Sequence, residues 1–256
     1  MGDTFRNAGA EFKILFAGEA AEDACRSLAL EPGGGKHLSV YFWDAPRTDG
    51  AGIRLPLAEA GAIIRLRRPA RGRKGDLTAK LRPCEPAALP AKWRENRRGK
   101  GWKFKIEEDW NGPSGVRSAS LKVKGVFEQP AEAGGASSTA GPRLTPDQRD
   151  LLASAGIGDD HLRDVVALGP IRAVKWTVSR RGLTRPLTAE LWRIGDDGPQ
   201  FLELSLRGRP ADAPRAQEWL ERTVRERGLS SAPQQAPKTQ TVMTELARNH
   251  LRRVER

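Results

Sequence analysis

AIIRLRR (62–68) and DLTAKLR (76–82) are the two segments whose reading decides the fold. In both, basic side chains alternate with apolar ones: Arg65 and Arg67 with Ile64 and Leu66, Lys80 and Arg82 with Ala79 and Leu81. A period of two belongs to a strand. The Arg/Gly-rich turn over 69–75 reverses the chain, so the segments become antiparallel neighbours with one apolar face and one charged face.

The same alternation continues outward in both directions. Upstream, EFKILF (11–16) reads as a strand with Glu11 and Lys13 on one side, followed by a helix over 20–30 that the turn at 32–35 ends, and a short strand at 38–43. Downstream, a Pro-rich connector (83–90) leads to WKFKIEEDW (102–110) and RSASLKVKGVF (117–127), paired across Asn111-Gly112-Pro113-Ser114. Strand parity puts Glu107 and Asp109 on the side of Lys103 and Lys105, so Glu107 is preferred to Glu108, and Lys122 and Lys124 share a face of the next strand. Composition makes 129–143 a flexible linker, and Thr145 with Pro146 begins a helix to about Ala155.

In the second half, IRAVKWTVS (171–179), LTAELWRI (187–194) and FLELSLR (201–207) form a meander with turns at Arg181-Gly182 and Asp196-Asp197-Gly198. Lys175 is preferred to Arg172 as the inward cation, because Ala173 and Thr177 share its side and leave Val174, Trp176 and Val178 to pack. Glu190 and Glu203 stand on the next two strands. An amphipathic helix over 213–227 stops at Gly228. Residues 230–240 read as a disordered Ser/Pro/Gln-rich linker, and 241–254 as a short basic helix whose Met243, Leu246 and Val254 offer contacts to a partner or another subunit.

About eight strands, few helices and charge at alternate positions describe a closed antiparallel barrel with a polar lumen and flanking helices, an α+β fold. The blander alternative is a sheet with one wet face. The 256 residues carry 44 Lys+Arg against 32 Asp+Glu, a net charge of +12. Residues 65–105 alone hold fifteen basic side chains against three acidic ones, a surplus equal to that of the whole chain. Such a field selects a polyanion: nucleic acid, polyphosphate, a nucleotide or an acidic surface.

Other classes are disfavoured. No apolar run approaches membrane-spanning length, and Met1–Lys13 lacks a signal-peptide core, so a cytoplasmic protein without membrane contact is expected. Cys25 and Cys84, without a Cys-x-x-Cys, and three scattered histidines do not suggest a zinc site or a disulfide framework. Gly33-Gly34-Gly35-Lys36 fails as a phosphate loop, because Leu30 and His37 stand where the spacing needs Gly and Ser/Thr. The seven tryptophans are read as packing residues.

The order of YFWDAP (41–46), LAEAGAIIRLRR (57–68) and LTAKLR (77–82), then FLELSLR with a helix ending at Arg227-Gly228-Leu229, resembles the CYTH domain, the triphosphate tunnel metalloenzyme family, over most of 9–229. The resemblance implies an eight-stranded antiparallel tunnel that takes a linear triphosphate on basic side chains and holds one or two Mg²⁺ or Mn²⁺ ions on carboxylates. Carried onto this sequence, Lys13, Arg65, Arg67 and Lys80 would be catalytic, and Arg82, Lys122, Lys124 and Lys175 would bind substrate. Glu11, Glu107, Glu190 and Glu203 would hold metal. The family's Glu-x-Glu-x-Lys and closing Glu-x-Glu are incomplete, with Gly9 and Ser205 in place of glutamates.

The expected function is metal-dependent hydrolysis of inorganic triphosphate or a small organic triphosphate. The alternative is a binding module for polyphosphate, a nucleotide or a phosphorylated partner without turnover, and nucleic-acid binding ranks third. The tunnel domain is expected over 1–229, with 230–256 as a linker and tail.

Overall fold

A computed structural model describes residues 9–72, 74–130, 141–179, 185–230 and 238–255. The first segment quoted above is a strand, β5 (Ala62–Pro69), in a larger sheet that also holds β1 (Gly9–Ala17), β2 (Lys36–Asp44) and β6 (Lys74–Leu81). A hairpin of β3 (Arg47–Asp49) and β4 (Gly52–Arg54) stands apart from that sheet. A short strand, β7 (Arg97–Gly99), precedes β8 (Trp102–Asn111) and β9 (Ser114–Val126), and the second half supplies β10 (Val166–Val178), β11 (Leu187–Ile194) and β12 (Gln200–Gly208).

Hydrogen bonding runs in the order β1-β12-β11-β10-β2-β5-β6-β9-β8-β7, and β1 also pairs with β8. The ring therefore closes through nine strands, with β7 outside it, instead of the eight expected. An odd number of strands cannot alternate direction all the way round a ring. One neighbouring pair has to be parallel, and it is β1–β8, from Gly9 opposite Glu107 to Lys13 opposite Asn111. The wholly antiparallel expectation is corrected accordingly. The edge of β8 is shared, since β7 covers Trp102–Phe104 and β1 covers Glu107–Asn111.

Apolar side chains of the strands lie mainly on the outer wall. Phe12, Phe16, Leu202 and Leu204 pack with residues of α1 (Glu19–Ser27) and α4 (Ala213–Arg225). On the opposite wall Ile64, Leu77, Phe104 and Leu121 meet Leu151 and Leu152 of α3 (Pro146–Ala153). Thr145 forms a capping box with Gln148 at the start of α3. The buried Gln148 Nε2 donates to Leu77 O at 2.9 Å and Leu121 O at 3.2 Å, so the helix is fastened to β6 and β9 by polar as well as apolar contact.

A third apolar cluster sits on the inner face, at one end of the barrel. Ala173, Trp192 and Phe201 are two residues along their strands from Lys175, Glu190 and Glu203, and so face the same way. Against them pack Val242, Met243, Leu246 and Ala247 of α5 (Lys238–Val254), which stoppers that end of the barrel. The helix thus begins three residues earlier than the expected 241, inside the stretch read as disordered. Met243 and Leu246 dock on the chain's own barrel, and Val254 is exposed. A short helix, α2 (Pro56–Glu59), follows the β3–β4 hairpin, and the Asp44 carboxylate accepts the amides of Leu57 and Ala58 at its start.

No described helix is long and apolar enough to cross a membrane. Residues 131–140 of the expected 129–143 linker, the Arg181-Gly182 turn and residues 231–237 lie outside the described residues.

Candidate anion-binding site

Because β-strand side chains alternate, an apolar outer wall leaves a polar inner one. The lumen encloses a cavity of about 550 Å³ lined by thirteen basic and five acidic residues. All twelve side chains singled out in the sequence line it: Lys13, Arg65, Arg67, Lys80, Arg82, Lys122, Lys124, Lys175, Glu11, Glu107, Glu190 and Glu203. Both parity choices agree with their placement. Glu108 lies off the lumen and pairs with Arg117 at 3.3 Å, and Arg172 pairs with Asp196. What the sequence undervalued is Asp109. Lys103, Lys105, Arg207 and Lys238 also line the cavity.

Asp109 organises one wall. Its Oδ1 accepts from Lys13 Nζ and its Oδ2 from Lys80 Nζ, both at 2.7 Å, with Ser118 Oγ at 3.3 Å and Arg82 Nε at 3.8 Å. Burial opposes ionisation, but Lys13 and Lys80 outweigh it and hold the carboxyl far below its usual range. Lys13 is correspondingly held above the ordinary ammonium range: burial opposes its charge, and Glu203, Asp109 and Glu11 overcome that.

Glu190 organises the other wall. It accepts from Arg67 NH2 at 2.9 Å and Trp192 Nε1 at 2.6 Å, and lies 3.7 Å from Lys175 Nζ. Burial again opposes the charge, and Arg67, Lys238 and Lys175 keep the carboxylate ionised.

Between these walls several cations lack a carboxylate within ion-pair distance among the described residues: Arg65, Lys103, Lys124 and Arg207. Arg65 is the most constrained. Burial, then repulsion from Arg67, push its guanidinium down to about 10, and its Nε is buried without a hydrogen-bond partner. Lys122 lies 3.7 Å from Asp76. Burial lowers its pKa to about 8, Asp76 opposes this, and repulsion from Arg65, Arg67 and Lys175 adds to it. Taking a cation out of water without a counter-charge is costly, and an entering polyanion supplies what the half-buried Arg65 lacks, whereas Lys103, Lys124 and Arg207 are exposed.

Lys122 gives a pH prediction. Below pH 8 it is charged before an anion arrives, and above pH 8 the anion must draw a proton onto it. Affinity for tripolyphosphate should therefore fall by up to about tenfold per pH unit above 8. Calorimetry in buffers of different ionisation enthalpy should show proton uptake there, and Lys122→Met should remove it. Uptake unchanged in the variant would contradict the assignment.

The fit to a divalent metal is poor. Among the described residues no three acidic, histidine or cysteine side chains gather as a metal site, and each lumen carboxylate already faces a cation. Glu11 lies 3.1 Å from Lys13 Nζ and accepts from Ser205 Oγ at 3.2 Å, Glu107 pairs with Lys105, and Glu203 is 3.4 Å from Lys238 Nζ. The positions lacking glutamate lie within this set: a Cβ on Gly9 would stand 3.8 Å from Glu107 Oε1, and Ser205 touches Glu11 directly.

No family model and no curated protein matches the chain by sequence. The chain is similar in fold to solved structures, two of which follow. A candidate adenylate cyclase from Bacillus halodurans is 13% identical, with a TM-score of 0.51 over 91% of this chain and 96% of that one. HpAC1 from Hippeastrum, a candidate adenylyl cyclase with a dominant triphosphatase activity, is 17% identical, with a TM-score of 0.50 over 92% and 95%.

Proposed function

We propose that this protein takes a linear triphosphate, inorganic or carried on a small organic group, into the lumen of its barrel. The observation that carries the reading is the lumen itself: a cavity stoppered at one end by α5, with a surplus of eight positive charges and a half-buried Arg65 whose buried Nε has no hydrogen-bond partner. A linear triphosphate is narrow and densely charged, and Arg and Lys side chains facing it from several strands can each meet a phosphoryl oxygen with a charge-assisted hydrogen bond. A stoppered lumen suits a small polyanion better than a nucleic-acid duplex.

Capture is the first reading. Hydrolysis of a phosphoanhydride bond is the second, favoured by the shared fold with HpAC1 and its triphosphatase activity. In that case Arg65, Arg67, Lys13 and Lys80 would neutralise the charge that develops on the transferred and leaving phosphoryl oxygens. Mg²⁺ or Mn²⁺ as cofactor remains part of this second reading alone, against the donor set described above.

Phosphate release and ligand binding, measured together on tripolyphosphate, ATP and thiamine triphosphate with Mg²⁺, Mn²⁺ or EDTA, separate the readings. Binding without release in any condition supports capture, and release supports hydrolysis. Neither binding nor release of any of the three overturns the proposal.

A further inference from the structure

Glu190 and Glu203 stand directly opposite each other on β11 and β12. Two carboxylates in register on neighbouring strands repel, and inside a barrel they need a cation close by. Glu190 has Arg67 and Lys175 from other strands of the wall, whereas the cation on Glu203 comes from outside the strands of the wall. Lys238, the first residue of α5, is 7% exposed, with its Nζ 3.4 Å from Glu203 Oε1 and 4.1 Å from the centre of the Trp192 ring. Trp192 in turn donates to Glu190 Oε1, so ring, ammonium and both carboxylates form one unit. The apolar seat of Val242, Met243 and Leu246 holds the helix, and with it the lysine, in place.

We propose that Lys238 is a tethered counter-cation that fills, from the chain itself, the place a divalent ion would take at Glu190 and Glu203. The carboxylates at that end of the lumen are then neutralised before any ligand enters, and need no metal to tolerate a polyanion. A tethered ammonium also avoids the loss of translational freedom that a free ion pays on binding. This assignment rests on the position of Lys238 and not on the identity of the anion.

The test is Mn²⁺ binding without any phosphate, followed by the loss of the free-ion EPR signal at neutral pH. The wild-type protein should leave Mn²⁺ essentially free. Lys238→Met should bind one ion at least about tenfold more tightly, and Lys238→Met with Glu203→Gln should lose it again. Lys238→Arg, which keeps the charge, should behave as wild type.

Wild-type protein that binds Mn²⁺ and loses it with Glu203→Gln would overturn the proposal whatever the Lys238 variants do. A folded Lys238→Met that gains no ion would overturn it too. Should that variant not fold, Lys238→Gln is held to the same gain. Loss of triphosphate binding would strike the functional reading without touching this result.

Discussion

Arg65→Met should cost tripolyphosphate affinity on the order of 3 kcal/mol, roughly 100-fold or more, while making the free protein more stable. The two effects have one cause. Arg65 is half-buried, without a carboxylate at ion-pair distance among the described residues, lowered to about 10 by desolvation and by Arg67, with a buried, unsatisfied Nε. A group whose folded pKa lies below its unfolded value is charged at a cost throughout the neutral range, because it is protonated in both states.

Replacing such a buried charge by an apolar side chain of similar volume is commonly neutral or stabilising by about 1–4 kcal/mol. For a chain of this size that is roughly 2–4 °C in Tm per kcal/mol. Thermal melts with and without tripolyphosphate measure both halves: the variant should melt higher alone and gain little from the ligand. A variant that melts lower, yet binds as wild type, would show that Arg65 serves the fold.

Asp109→Ala should have the opposite signature. The carboxylate holds Lys13 and Lys80 at 2.7 Å and draws Arg82, so its removal leaves Lys80 and Arg82 without a carboxylate at ion-pair distance among the described residues and Lys13 with Glu11 alone. Breaking such a buried network costs about 3–5 kcal/mol. The pH dependence follows from the direction of the shift. A carboxyl depressed in the folded state contributes stability in full above its unfolded pKa of about 3.9, and loses it as pH falls below that. Wild type should weaken on acidification from about pH 4, and the variant should lack that part of the loss.

Tripolyphosphate should restore Tm in Asp109→Ala by more than it raises Tm in wild type, since the freed cations now favour the anion. Equal ligand-induced shifts in the two proteins would show that Asp109 and the ligand do not share these cations.

The wall of the barrel was legible because its two faces differ so sharply. Arg65 and Arg67 against Ile64 and Leu66, or Lys122 and Lys124 against Leu121 and Val123, declare an inside and an outside at a period of two, and the same parity separates Glu107 from Glu108 and Lys175 from Arg172. All nine strands of the ring coincide with segments read as strands, but the parallel β1–β8 contact was not legible, since no residue of either strand encodes its partner's direction. The count of about eight, which the resemblance also implies, falls one short of the nine segments that pair into the ring.

Asp109 was visible as an inward residue, but its partners Lys13, Lys80 and Arg82 lie on β1, on β6 and just beyond the end of β6, and meet it only after closure. Lys238 was missed for a compositional reason. The Ser/Pro/Gln-rich stretch before it suggested disorder, while the apolar residues that anchor α5 come after it, and their seat exists only once β2, β10, β11 and β12 have been brought together.

The decisive titration is tripolyphosphate into the wild-type protein and into Arg65→Met, by calorimetry, in EDTA at two salt concentrations. One ligand should bind per chain without metal, with an affinity that weakens as salt rises and is almost completely lost in the variant. No heat of binding in wild type, or equal binding in both proteins, would contradict it.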